Sequence, residues 1–187
     1  MIRAYHNVKV FKRDLSAVAD TMYYSAYDSI ATLNYLPVLW YNQNQMSGKK
    51  ILIYFSDNKI DKVHIPENVF MVQEADSAHY TQMKGKELWA LFKRDTLEKI
   101  EITGNVQAVY YVKNAKNKLQ GANVIESASL RILSKSQKIE QATFISKPKG
   151  KVIPIKDVNP KEIELKGFSW QIERKPKSLK DLTTNHK

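Results

Sequence analysis

The 187-residue sequence contains no cysteine, which excludes disulfides and thiolate metal sites but does not separate an oxidising compartment from a reducing one. Glycine is scarce, with six residues, and no apolar run approaches the roughly 20 residues that a membrane-spanning helix needs. The opening MIRAYHNVKV lacks the apolar block of a signal peptide. A long stripe of apolar residues at helical spacing is also missing; SLKDLTTN near the C-terminus supports a helical turn or two at most. Catalytic signatures are absent as well. His6, His64, His79 and His186 show no metal-ligand spacing, and no Ser, His and carboxylate grouping stands out. There is no nucleophile elbow or dinucleotide fingerprint, and the two KGK triplets, 84–86 and 149–151, are not phosphate loops. The expectation is a protein without enzymatic activity, metal or cofactor.

What is present favours strands. Ten Tyr, six Phe and three Trp accompany a 43% hydrophobic and 26% charged composition, ordinary for a folded domain with a real core. The formal net charge is +11, and residues 147–187 carry 11 of the 30 basic side chains against 5 of the 19 acidic ones. Such a surface favours anionic partners: nucleic acid, acidic lipid head groups or phosphorylated glycolipid.

The chain repeats itself. GKKILIYFSDNKIDKVHIPENV, from Gly48, aligns with GKELWALFKRDTLEKIEITGNV, from Gly85. The step from Gly48 to Ile60 is 12 residues, as is that from Gly85 to Leu97; Ile60 to Val69 and Leu97 to Val106 are both nine. A third copy starts at Ser127 and reaches Ile139 after 12 residues, and a fourth runs from Ala19 to Ile30 in 11. Within each copy the apolar period is two, so Ile51, Ile53 and Phe55 share a face, as do Leu88, Ala90 and Phe92, and Leu130 with Ile132. On the return legs Val63, Ile65, Val69 and Met71 form one set and Ile100, Ile102, Val106, Ala108 and Tyr110 another. The polar SDNK, KRDT and KSQK between the legs predict hairpin tips, near Asp57-Asn58 and Arg94-Asp95 in the first two.

Each copy is thus a hairpin with one apolar face. The recurrent Asn7-Val8, Asn68-Val69 and Asn105-Val106 read as corners: Asn tolerates the left-handed backbone where a strand bends, and Val restarts the pleat. In LPVLWYNQNQM, residues 36–46, Trp40 reads as packed at a strand end or as a ligand-contacting rim. After Val152 the pattern stops, and Pro154, Pro160 and Pro176 lie among charges around one cluster, Phe168-Ser169-Trp170. This divides the chain into a β-repeat domain over residues 1–155 and a basic C-terminal strand, cap or tail over 156–187. An antiparallel sheet with one apolar face must cover it, by closing into a sandwich or by leaving a groove for a ligand, and the pattern leaves both open.

The runs IRAYHNVKVFKRDLSAVADTMYYSAYDSIATLNYLPVLW, GKKILIYFSDNKIDKVHI and GKELWALFKRDTLEKIEITGNVQAVYY resemble the OstA-like, or LptA-like, family of lipopolysaccharide-transport (organic solvent tolerance) proteins. The closing ELKGFSWQIERKPKS resembles the end segment of longer members from Gram-negative bacteria. The resemblance implies an all-β fold, an open antiparallel β-jellyroll or "β-taco", whose interior shields the acyl chains of lipopolysaccharide during outer-membrane biogenesis. It implies a periplasmic setting, no cofactor, and head-to-tail joining with other jellyrolls or with further copies through edge strands. Ile2 to Phe11 reads as the second half of a repeat, so the chain is expected to be the C-terminal portion of a longer protein with its signal peptide upstream.

On this resemblance, a lipid-binding groove would be lined by Ile51, Ile53, Phe55, Leu88, Ala90, Phe92, Ile102, Val106, Leu130 and Ile132. Lys49, Lys84 and Lys86 would form a basic rim for phosphates. A non-catalytic repeat scaffold for protein assembly at the outer membrane is the alternative. A nucleic-acid binder fits less well, because the charges are spread over turn tips and tail without a stacking platform.

Overall fold

The computed structural model describes residues 1–135 and 138–182; the expected tip at Ser136-Gln137 and His186 lie outside them. Among the described residues there are fourteen strands, three short 3-10 turns and no α-helix. The chain runs back and forth between two facing walls. Three long strands, β1 (Ile2–Lys12), β2 (Leu15–Ser25) and β11 (Thr96–Lys113), cross from one wall to the other, and so does β12 (Leu119–Lys135). Between these crossings the same course is broken into pairs of shorter strands.

The first wall begins with the N-terminal leg of β1 and the C-terminal leg of β2. It continues through β3 (Ile30–Asn34), β6 (Lys50–Ser56), β7 (Lys59–Ile65), β10 (Glu87–Lys93) and the first half of β11. The C-terminal half of β12 and β13 (Lys138–Ile145) complete it. The second wall begins with the other legs of β1 and β2, then β4 (Val38–Tyr41), β5 (Asn44–Ser47), β8 (Val69–Asp76) and β9 (His79–Gly85). The remaining halves of β11 and β12 and finally β14 (Lys149–Pro154) close the order. Every neighbouring pair is antiparallel, so the fold is the expected open β-jellyroll, with β1 at one end and β13 and β14 at the other.

The recurrent Asn-Val steps are the corners. Asn7, Asn68 and Asn105 have φ of 55°, 57° and 51°, and the ladder shifts register between Tyr5 and Val8 and between Thr103 and Val106. Tyr35-Leu36 and Ser146-Lys147 turn the same way without asparagine. A repeated backbone bond ties each corner to the next: Asp20 N–H to Tyr35 O (3.1 Å), Lys49 N–H to Glu67 O (3.1 Å) and Lys86 N–H to Thr103 O (2.8 Å). The glycine of each Gly-Lys pair belongs to this device. A Cβ at Gly85 would sit 2.5 Å from Ile102 Cγ2, and one at Gly48 would sit 2.8 Å from Glu67 O, so only glycine lets adjacent corners nest. Both expected tips, Asp57-Asn58 and Arg94-Asp95, have positive φ at both residues, as a two-residue hairpin turn requires.

The inward faces of both walls form one core, from Leu15 and Ala17 through Met46, Ile65 and Leu88 to Leu130 and Ile132. Burial of each large side chain contributes about 1.5–3 kcal/mol. Away from the corners, the walls are latched together at their hairpin tips. Tyr41 packs edge-on against Phe92 at 5.1 Å, and its hydroxyl donates to Asp95 O (3.2 Å) and accepts from Leu97 N–H (3.2 Å). The Asp95 carboxylate accepts from Lys12 Nζ at 2.6 Å and from Ile60 N–H at 2.8 Å. Burial pushes this carboxyl up, but the bonds from Lys12 and Ile60 and the charges of Lys12 and Lys59 outweigh it, leaving it below its ordinary value.

A carboxyl depressed in the folded state adds stability above its unfolded pKa of about 3.9, and loses it as pH falls through the folded value. Asp95→Asn is therefore expected to melt below the parent at pH 7, with the gap closing below about pH 4. Paired melting curves across that range check it; a pH-independent gap would remove the carboxylate from the latch.

Residues 155–182 form no strand. They run as a strap across the outer face of the second wall, from β12 back to β1. Ile155, Val158, Ile163 and Leu165 cover Val109, Tyr111 and Ala122, and Phe168 and Trp170 lie 5.3 and 5.5 Å from Tyr80. Further on, Ser16 Oγ donates to Pro176 O (3.0 Å) and Lys175 Nζ to Asn42 O (2.8 Å). The Leu179–Leu182 turn falls where SLKDLTTN predicted one, and Lys9 Nζ donates to Asp181 O at 3.0 Å.

Candidate functional site

The ten apolar residues expected to line a groove all point into the single interior. Ile51, Leu88, Ala90 and Ile102 are fully buried, Ile53, Val106, Leu130 and Ile132 nearly so, and Phe92 is sealed beneath Tyr41. Phe55 alone is half-buried. Across β7, β10, β11 and β12 the two walls touch and their side chains fill the space. At the β1 end they do not.

There the interior opens into an apolar cavity of about 380 Å³, in which Ile53 and Phe55 are joined by Val10, Met22, Tyr24 and Leu33. The cause is position in the stack. As the last strand of both walls, β1 has no further strand beside it among the described residues, and the second wall contributes only Val10, Lys12 and Leu15 to the lining that covers the inward residues of β2, β3 and β6. Tyr24 and Phe55 meet edge to face at 6.1 Å, and Ile2, Val10, Met22 and Tyr24 remain partly or largely exposed. Lys12 and Asn58 supply the polar members, and Lys12 is the lysine that holds Asp95.

Sequence reasoning did not single out Val10, Met22, Tyr24 or Leu33 for the site. Their inward parity is visible in the sequence, whereas their place at an uncovered end is not.

The three rim lysines stand elsewhere. Lys49 and Lys86 follow the corner glycines and Lys84 precedes one, so all three project on the outside of the corner line. They do not line the apolar cavity; together they line a second groove between the corners and the strap, with a basic edge over a largely apolar floor. Lys49 pairs with Glu67 at 3.0 Å, and Lys84 Nζ donates to Lys166 O at 3.3 Å.

Trp40 is buried on the outer face of the second wall with Val18 and Val38, under the strap. The histidines are dispersed. His64 stacks on Trp89 at 3.8 Å and bonds Glu87 at 2.7 Å, and His79 bonds Asp76 at 2.7 Å. Among the described residues no group of three His, Asp or Glu side chains could hold a metal ion.

Fold and cavity together define a class: a two-walled β-jellyroll whose apolar interior is open at one end. Among solved structures, the crystal structure of LptH from Pseudomonas aeruginosa, "the LptA homologous periplasmic component of the conserved lipopolysaccharide transport device", shares this fold. The superposition has a TM-score of 0.52 at 12% identity and covers 76% of this chain and 98% of that one. No protein-family model and no curated protein matches the sequence.

Proposed function

We propose that this chain is a periplasmic lipopolysaccharide-binding component of outer-membrane biogenesis, with acyl chains of the glycolipid held at the open β1 end. The observation that carries the reading is the apolar cavity at Phe55, Tyr24, Met22 and Val10, in a jellyroll of the kind LptH has. Each CH₂ buried against these side chains would contribute about 0.8 kcal/mol, so a short stretch of chain suffices to hold an amphiphile. The groove residues divide by role. Ile53 and Phe55 would touch ligand, whereas Ile51, Leu88, Ala90, Phe92, Ile102, Val106, Leu130 and Ile132 would form the packed wall behind them unless the walls part. The jellyroll over 1–155 would hold the ligand, and the basic segment over 156–187 would brace it from outside. Chemistry on the ligand is not part of the role. Partners would be other jellyroll proteins or second copies, meeting the free backbone edge of β1 or of β13 and β14.

The sealed middle of the interior favours the second reading, a periplasmic β-repeat scaffold that binds only protein. A photocrosslinking side chain in place of Phe55 or Tyr24, compared with the outward Tyr54 and the sealed Ile102, separates the two in cells. Lipopolysaccharide adducts at Phe55 and Tyr24 but not at Tyr54 are expected. Adducts at none of the four positions would leave the scaffold as the function.

A further inference from the structure

We propose that the groove between the corner line and the C-terminal strap is a binding site for an anionic saccharide, a sugar carrying phosphate groups, separate from the apolar interior. The groove measures about 960 Å³, the size of small-ligand sites, and is lined by Lys49, Lys84, Lys86, Lys166 and Arg174 together with Trp170. Glu173 is the only carboxylate among its lining residues. Past Asn105 it continues along the corners to Lys147 and Lys149.

Lys49 is paired with Glu67, but the fold does not explain the other cations. Corner nesting requires Gly48 and Gly85, and of the residue that follows each it asks a backbone N–H but no charged side chain. Lys86 makes no ion pair with a described residue, and Lys84 reaches only a backbone carbonyl. Arg174 donates to the neutral amide of Gln171. Several like charges gathered on one groove repel one another, and an anion placed among them relieves that repulsion. The far wall is held in place before any ligand arrives: buried Gln45 bonds Ser169 O (2.7 Å) and Gln171 N–H (2.8 Å), and Gln82 accepts from Leu165 N–H (2.9 Å). A groove fixed in advance binds without an ordering cost.

The lining also selects the kind of anion. A lone phosphate would use a fraction of the space. Trp170 offers an apolar ring to the C–H face of a sugar, and the amides of Asn68, Asn105 and Gln171 suit hydroxyl groups. Nucleic acid, with a phosphate at every residue, wants uninterrupted cations and several exposed stacking rings. Glu173 interrupts the cations, and with Phe70 buried in the floor Trp170 is the better exposed of the two lining rings, which favours a polyol with sparse charges.

The test uses the purified full chain and a phosphorylated oligosaccharide without acyl chains, delipidated lipopolysaccharide core, titrated by calorimetry. Parallel arms take the same sugar after phosphatase treatment, inorganic phosphate, and a 12-nucleotide single strand. Saturable binding of the phosphorylated sugar is expected, weakened at least about tenfold by dephosphorylation and by the double variant Lys84→Gln/Lys86→Gln, whose melting temperature stays that of the parent. Equal affinity for inorganic phosphate, tighter binding of the oligonucleotide, or an unchanged affinity in the double variant would overturn the proposal. So would no binding at millimolar sugar. The probe has no acyl chain, so this outcome is read independently of crosslinking at Phe55, and either reading can fail alone.

Discussion

Replacing Ile102 by aspartate is expected to lower the folding stability by about 4 kcal/mol or more, whereas Glu101→Ala, one residue earlier, is expected to cost no more than about 1 kcal/mol. The two side chains leave the same strand on opposite faces. Ile102 is fully buried, paired in register with Leu88 on one side and Leu130 on the other, and packed over the bare face of Gly85. A carboxylate there meets no donor and no cation. It would either ionise at large cost or stay protonated without a partner, and it also forfeits the apolar contacts of the isoleucine. The combined loss is about 4 kcal/mol or more, against a total stability of about 5–15 kcal/mol for an ordinary domain. Glu101 faces solvent with Arg131 at 2.9 Å and Lys99 at 3.4 Å, a screened network whose loss is small. Urea unfolding followed by circular dichroism distinguishes the two, and similar midpoints would mean that the faces of β11 are misassigned.

That contrast was legible in the sequence because a strand's period is two and one wall face is dry. Ile51 and Ile53, Leu88 and Ala90, Ile102 and Val106, Leu130 and Ile132 all point inward as their alternation predicts. The corners were legible too, through asparagine, although Tyr35-Leu36 and Ser146-Lys147 adopt the same backbone without one. Alternation does not say how closely the opposite wall approaches. Phe92 and Phe55 hold equivalent positions in their copies; one is sealed by Tyr41 and the other borders open space, because their strands stand at different distances from the end of the stack. The lysines were recognisable as a repeated pair with glycine and as a basic rim outside the interior, but their separation from the mouth of the apolar cavity was not, because alternation does not say which end of the stack is open. The strap was least legible. All four residues of β4, Val38 to Tyr41, are buried, and a strand buried on both faces loses its alternation.

Gln45 is the residue on which the strap depends most. It is fully buried in β5, its Nε2 donates to Ser169 O and its Oε1 accepts from Gln171 N–H, so one side chain satisfies two backbone groups of a segment that has no ladder of its own. Gln45→Ala leaves both groups with two alternatives. If they stay where they are, each is desolvated without a partner, at about 1–3 kcal/mol apiece. If the strap lifts to reach water, it uncovers Val18, Val38 and Trp40 and forfeits their burial instead. Either route costs at least about 2 kcal/mol, and only the second releases the segment. Gln82 accepts a single bond, from Leu165 N–H, so Gln82→Ala is expected to cost about half as much. Amide exchange decides between the routes. Lifting predicts fast exchange at Gln171 and Phe168, and a red shift of tryptophan emission as Trp40 is wetted, while the amides of β6 and β10 stay protected. Unchanged stability in Gln45→Ala, with slow exchange throughout the strap, would show that apolar contacts at Leu165, Phe168 and Trp170 hold the segment without the glutamine.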